Sequence, residues 1–378
     1  MPHILSLLHT YAIPFIIVIS VVVFIHEFGH YWVARRCGVR VLTFSIGFGK
    51  EIIGWNDKHG TRWKISWLPL GGYVKMFGDA DPASTPDAAV HTMTEEEKKV
   101  AFYHQSVGKR MAIVVAGPAV NYIFAILVLS FMFIFEGQPY SPPDISTIIE
   151  NSAAAKAGLQ VGDHITSIDD HAIDRFEDLK RIVMLNEGSP IPLDITRQGQ
   201  AIHFTLTPEV ITMTDRFGGT HKGGRIGIGT DKINYKKWPP VQAVQHALIE
   251  TWNISASTLR AIGQMIMGTR GSEELGGVLR IAEMSGKVAK DGVVSLIWFM
   301  GMISINLGLI NLFPVPMLDG GHLAMYAFER MKGKPLPEKI QEISARVGLI
   351  LVMTLMLFAT WNDLNYFKVF STIKGWFS

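Results

Sequence analysis

Residues 11–25 read Tyr11-Ala-Ile-Pro-Phe-Ile-Ile-Val-Ile-Ser-Val-Val-Val-Phe-Ile25, and the run passes without a break into His26-Glu27-Phe28-Gly29-His30. An uninterrupted apolar stretch of this kind predicts a helix that crosses a membrane. The pattern at its end, His-Glu-x-x-His, is a zinc-protease signature. On a helix, His26 and His30 fall at i and i+4 on one face, where both rings reach a single cation, and Glu27 is placed to take a proton from water at the metal. A coincidental surface helix is the bland alternative. It fits poorly, because two histidines and a carboxylate at membrane depth are costly unless they are used.

Composition agrees with a membrane chain. Of 378 residues, 48% are hydrophobic, which is high for a soluble protein. A net charge of +2 gives no reason to invoke nucleic acid. The single cysteine, Cys37, excludes an internal disulfide and, following Arg35-Arg36, reads as a small buried or interfacial residue. The N-terminus lacks the basic region and small-residue cleavage site of a signal peptide.

Four segments are long enough to span a bilayer, each needing about 20 residues. They run from about Ile4 to Ala34, with Pro14 as a kink, from Met111 to Phe135, from Val293 to Phe313, and from Val347 to Trp361. Val241 to Met267 has polar residues between helically spaced apolar ones and reads as an amphipathic interfacial helix. The expected fold is a polytopic α-helical membrane protein of about four transmembrane helices, with a membrane-associated β element and an inserted α/β module. Its expected divisions are a first span with the HExxH (1–35), a cytoplasmic β-loop region (36–110), a second span (111–136), a soluble module (142–209), a connector with the interfacial helix (210–292), a third span with a Pro-rich turn (293–322), a cytoplasmic loop (323–346) and a fourth span (347–366).

Basic residues set the orientation. Arg35, Arg36, Arg40, Lys109 and Arg110 crowd the first connection, and Arg330, Lys332, Lys334 and Lys339 crowd the third. The positive-inside rule puts both in the cytoplasm, and hence both termini and the long middle segment outside. The HExxH then lies near the cytoplasmic boundary.

A catalytic zinc usually keeps three protein ligands and an open position, so one more ligand is needed. The segment Asn311-Leu-Phe-Pro314-Val-Pro316-Met-Leu-Asp319-Gly320-Gly321-His322 supplies the candidate. Asp319 is its sole acidic residue, and Pro314 and Pro316 favour a non-helical turn that lines a cavity at depth. His322 competes for the role, and spacing does not separate the two.

HEFGH, the first-loop blocks FSIGFGK and LGGYVKM, then AGPAVN and NLFPVPMLDGGH occur here in the order seen in site-2 proteases. The chain resembles that family of intramembrane zinc metalloproteases, and the matching blocks reach both ends of it. The resemblance implies His26, His30 and Asp319 as Zn²⁺ ligands, Glu27 as general base, and Asn311 as a residue holding substrate or the developing oxyanion. It also implies the bacterial inner membrane, with the module in the periplasm, and substrates that are single-span membrane proteins, such as anti-sigma factors or signal-peptide remnants, cut within the lipid bilayer.

Two further regions carry weaker signals. Phe44–Gly49 and Trp63–Met76 alternate apolar and polar residues between glycines, which suits short strands that dip back beside the metal. The resemblance makes Gly71, Gly72 and Tyr73 part of an edge that pairs with an extended substrate. Residues 79–99 read as a solvated linker and short helix. In Gly117-Pro118-Ala-Val-Asn121, the amide serves either helix packing or the active-site wall.

The module's Asn151–Ile168 and Phe176–Val183 resemble a circularly permuted PDZ domain, whose ligand would be a C-terminal tail. Gly223–Gly229 reads as a remnant strand or a connector. Against the peptidase stands a non-catalytic membrane PDZ scaffold. A metal transporter would need more intramembrane ligands than the sequence offers.

Overall fold

The computed structural model describes residues 8–78, 93–186, 188–214, 220–268, 271 and 276–368. Most of the linker expected at 79–99 lies outside these. The chain divides into two compact units. One comprises Met1–Leu129, Val244–Thr258 and Glu273–Ser378, and the other Ser130–Ala243 with Leu259–Ser272.

The first unit opens with a π-helical turn, Leu8–Ala12, that runs into helix α1, Ile13–Arg36. Twenty-four helical residues rise about 36 Å, enough for a hydrocarbon core of about 30 Å. Pro14 lies just past the junction where the π-turn gives way to α-helix, an irregularity that accommodates its ring and missing N–H.

Strands β1 (Val41–Asn56) and β2 (Arg62–Met76) follow as one bent antiparallel pair. Gly47 and Gly49, at φ of 87° and 89°, let β1 double back. Residues 41–46 therefore pair with 72–76 on one side and 62–65 on the other, and 72–76 becomes one edge of the sheet. The intervening turn is tied to α1 through Asp57. Its carboxylate accepts the His59 and Thr61 amides at 2.8 and 3.0 Å, the Tyr31 hydroxyl at 2.9 Å and the Trp63 indole N–H at 3.0 Å. The far part of the hairpin exposes Ile52, Ile53, Trp55 and Trp67, an apolar surface suited to lipid. A short helix α2, Glu95–Val100, starts at a Thr94–Glu97 capping box. Helix α3, Val107–Phe135, begins one turn before the span expected from apolar count.

The second unit holds the module. Its elements are β3 (Gln138–Tyr140), β4 (Thr147–Ile148), α4 (Ala153–Ala157), β5 (His164–Ile168), β6 (His171–Ala172), α5 (Phe176–Leu185), β7 (Ile191–Arg197), β8 (Gln200–Leu206), β9 (Glu209–Thr214), β10 (Thr220–Arg225), β11 (Ile228–Gly229) and β12 (Asn234–Lys236). The main sheet has the order β6-β5-β7-β8. Its inward positions, including Ile165, Ile168, Leu193 and Ile195, are fully buried, each contributing about 2 kcal/mol of transfer free energy. Ser152 caps α4, and Gly158 at φ 82° closes it.

The module does not stop at residue 209. β11 pairs with β4, β12 pairs with β3, and Ile226 enters the core. Gly223–Gly229 is therefore a working part of the module, not a connector. The strand reading holds, and the glycines that kept the connector reading open are needed where a Cβ at Gly224 would lie 2.3 Å from the Val183 carbonyl oxygen.

Helix α6, Pro240–Ile266, is the expected amphipathic helix. Within the first unit its Ser255 hydroxyl pairs with Tyr122 and its Thr258 hydroxyl donates to Asn306, while Leu248 and Trp252 are exposed. Helices α7 (Val278–Lys290), α8 (Val293–Asn311), α9 (Asp319–Lys332) and α10 (Glu338–Tyr366) complete the unit. The third span ends at Asn311, because the Pro-rich segment turns. The fourth is longer than its apolar stretch: one helix runs from Glu338, since charged helix formers continue it beyond Val347. Among the described residues, four helices are long and apolar enough to cross a membrane: His9–Arg36, Val107–Phe135, Val293–Asn311 and Lys339–Tyr366.

Candidate metal centre

His26 and His30 stand one turn apart on α1, both buried, and Asp319 opens α9. The two Nε2 atoms are 3.2 Å apart, and Asp319 Oδ2 lies 3.2 Å from one and 3.5 Å from the other. A tetrahedral ion with bonds of about 2.1 Å has ligand–ligand edges of about 3.4 Å, so this triangle has the dimensions of a zinc site. Among the described residues these three form the cluster that can share one ion. His322 lines the same cavity without joining it. The tertiary structure thus separates the two candidates that spacing left open.

Protonation makes the same case. His30 Nδ1 is 2.9 Å from the Ile113 carbonyl oxygen, which can only accept, so Nδ1 carries the proton and Nε2 presents a lone pair. His26 Nδ1 is 3.1 Å from the Asn121 side-chain amide, whose oxygen is otherwise buried without a partner. Turning that amide by half a rotation lets Nδ1–H donate to the oxygen, and Nε2 again presents a lone pair. Asp319 Oδ2 is buried, and its near polar neighbours are the two Nε2 atoms themselves. With both rings neutral, as ligation requires, three lone pairs face one another at these distances, and a shared metal ion relieves their repulsion. The residues present fit zinc.

Close backbone approach sets this geometry. A Cβ at Gly29 would lie 2.4 Å from the Ala116 carbonyl oxygen, and one at Gly117 would lie 2.3 Å from His30 Nε2. Two glycines therefore let α1 and α3 meet directly behind the imidazoles. Asp319 is positioned by the turn before it. Met317 takes φ 75°, a left-handed conformation rare for its residue type, and a Cβ at Gly320 or Gly321 would strike the carbonyls of Phe313 or Val315 at 2.2 or 2.3 Å. Pro316 packs against Gly348 of α10, while Pro314 is exposed. At the first position of α9, the Asp319 carboxylate also sits where the helix dipole favours negative charge.

A cavity of about 540 Å³ opens on this triangle, lined by Glu27, Gly71, Gly72, Tyr73 and Asn311, among others. Phe48 stacks on Tyr73 at 6.1 Å and forms part of its apolar wall. Gly72 lies on the 72–76 edge, where a Cβ would come within 3.1 Å of Glu27 Cγ. His26, Glu27, His30, Gly71, Gly72, Tyr73, Asn311 and Asp319, the site residues expected from sequence, all line this cavity. Asn121, left open between helix packing and the active-site wall, faces a ring nitrogen of His26. Sequence reading missed the Ile113 carbonyl, because a backbone acceptor leaves no residue-type signal.

Comparison with known proteins gives a consistent result. The model of Peptidase family M50 matches residues 14–355. The chain is 42% identical over 360 residues to an Agrobacterium fabrum protein named as a zinc metalloprotease, covering 94% of this chain and 96% of that one. It is 35% identical over 391 residues to metalloprotease MmpA of Caulobacter vibrioides, covering 97% and 98%. Among solved structures, the PDZ domain of the SdrC-like protein from Listeria innocua is similar at 18% identity and a TM-score of 0.20, over 25% of this chain and 99% of that one.

Proposed function

We propose, because this chain belongs to peptidase family M50 and is a multi-pass zinc metalloprotease, that it cuts single-span membrane proteins within the bilayer. The observation that carries this reading is the His26–His30–Asp319 triangle beside Glu27, in a cavity bounded by a sheet edge. In this reading His26, His30 and Asp319 hold the zinc. The chemistry zinc supplies in such a site is Lewis-acid polarisation of the scissile carbonyl and acidification of water.

The chain's own residues do the rest. The Glu27 carboxylate accepts a proton from the attacking water and returns it to the leaving nitrogen. The Asn311 amide donates to the oxyanion as it develops. A peptide bond inside a helix is shielded by its hydrogen bonds, so the substrate must first be extended. The 72–76 edge, with Gly71, Gly72 and Tyr73, offers it main-chain partners beside Glu27. Phe48 and the other apolar walls exclude bulk water.

Arg35, Arg36 and Lys109 argue for an active site near the cytoplasmic side of a bacterial inner membrane, with termini and module outside. Anti-sigma factors and signal-peptide remnants are the substrates this arrangement suits. A groove of about 410 Å³ in the module, between α5 and Gly224–Ile228, favours capture of a C-terminal tail as a second role.

The test uses purified full-length protein in detergent with a single-span peptide. Cleavage should be lost with a chelator, restored by zinc, and absent in Glu27→Gln although that variant still binds zinc. A Glu27→Gln protein that cleaves like the wild type ends the reading. A reporter fused after residue 210 should be periplasmic.

A further inference from the structure

A buried ion pair joins α3 and α9. Arg110 Nη2 donates to Glu329 Oε1 at 2.6 Å, and both side chains are at most 10% exposed. The guanidinium also lies 4.7 Å from the centre of the Tyr326 ring, and its Nε donates to the Gln105 carbonyl. A buried pair of this kind is weak evidence for stability, because desolvation offsets much of the attraction and apolar replacements are often as stable. What such a pair does fix is register.

The register at issue is that of α9. Glu329 lies ten residues, about 15 Å, along the same helix from Asp319. On α3, Arg110 belongs to a stripe spaced three, four and four residues apart: Arg110, Ile113, Gly117 and Asn121. These residues share one helix face. Asn121 faces His26, the Ile113 carbonyl holds His30, and Gly117 lies against both rings.

We propose that Arg110 and Glu329 are positioning residues for the third ligand, so that one face of α3 orients His26, His30 and, through α9, Asp319. The inference rests on the metal site proposed above.

The experiment uses full-length protein in detergent and reads zinc affinity by chelator competition, the visible spectrum of the cobalt-substituted form, and thermal stability. Glu329→Gln should weaken zinc binding about 2- to 30-fold, the range of a coupling of about 0.5–2 kcal/mol passed along packed elements, and should alter the cobalt spectrum. The apolar double variant Arg110→Met/Glu329→Leu should keep its melting temperature yet show the same loss.

Asp363 is the comparison, a fully buried carboxylate that accepts the amides of Gly277, Leu279 and Arg280. Asp363→Asn should lower thermal stability and leave zinc affinity unchanged. Zinc affinity within about twofold of wild type in either Arg110/Glu329 variant overturns the proposal. So does an equal zinc loss in Asp363→Asn at an equal drop in melting temperature, or failure of both Arg110/Glu329 variants to fold, since the pair is then a general stabiliser. The underlying site fails separately, if wild type takes up no stoichiometric zinc or Asp319→Asn retains it.

Discussion

Gly117→Ala isolates the geometry on which the site depends. The added methyl would lie 2.3 Å from His30 Nε2, 2.6 Å from His30 Cε1 and 2.9 Å from His26 Cε1. The backbone has little room to retreat, because Gly29 already brings α1 against the Ala116 carbonyl. Ordinary contact needs about 3.4 Å, so Nε2 must move by about 1 Å, whereas ligand distances tolerate about 0.2 Å. His30 must swing off the metal and lose its bond to Ile113. The expected loss in zinc affinity is at least about 100-fold, or about 2.8 kcal/mol. Fold stability should suffer less, since the displaced atom ends a side chain. Chelator competition on the purified protein measures the affinity, and circular dichroism checks helix content. A folded Gly117→Ala protein that holds zinc as tightly as wild type would refute the reasoning.

Asn121→Leu should weaken zinc binding about 10- to 100-fold by freeing the His26 ring, and chelator competition with unchanged affinity would dismiss its role. Gly72→Val should abolish peptide cleavage while zinc content stays stoichiometric, because a side chain there collides with the Ser45 carbonyl and Glu27; retained turnover would argue against the edge. In the module, Asp163 receives Arg197 Nε and Nη2 at 2.7 Å each and the Gln160 amide at 2.8 Å. Burial alone raises this carboxyl, but Arg197 and the Gln160 amide outweigh it and hold the folded pKa below its ordinary value. The pair's stabilisation is therefore complete above the unfolded pKa of about 3.9 and lost as pH falls below it. Melting temperature should drop over that acid range, and Asp163→Asn should flatten the drop; an identical acid limb in the variant would remove the assignment.

Much of this was legible in the chain itself, and for local reasons. The 3.6-residue period puts His26 and His30 on one face whatever surrounds them, and an apolar run of span length needs no tertiary context to be recognised. Apolar count does not reveal how far the second and fourth helices continue, because Val107–Arg110 and Glu338–Arg346 are helical through propensity and contact. Gly223–Gly229 stayed open between strand and connector for the opposite reason, being strand by pairing and not by pattern.

By itself the sequence determined the membrane class, the two-histidine motif with its glutamate, and the candidates for a third ligand. Only the tertiary structure decided between Asp319 and His322, turned Asn121 and the Ile113 carbonyl toward the imidazoles, and made residues 72–76 an edge beside Glu27. The physical reason is range. Helical spacing acts over a few residues, whereas convergence on one ion joins segments nearly three hundred residues apart, which only packed helices and close glycine contacts can bring within 3.5 Å.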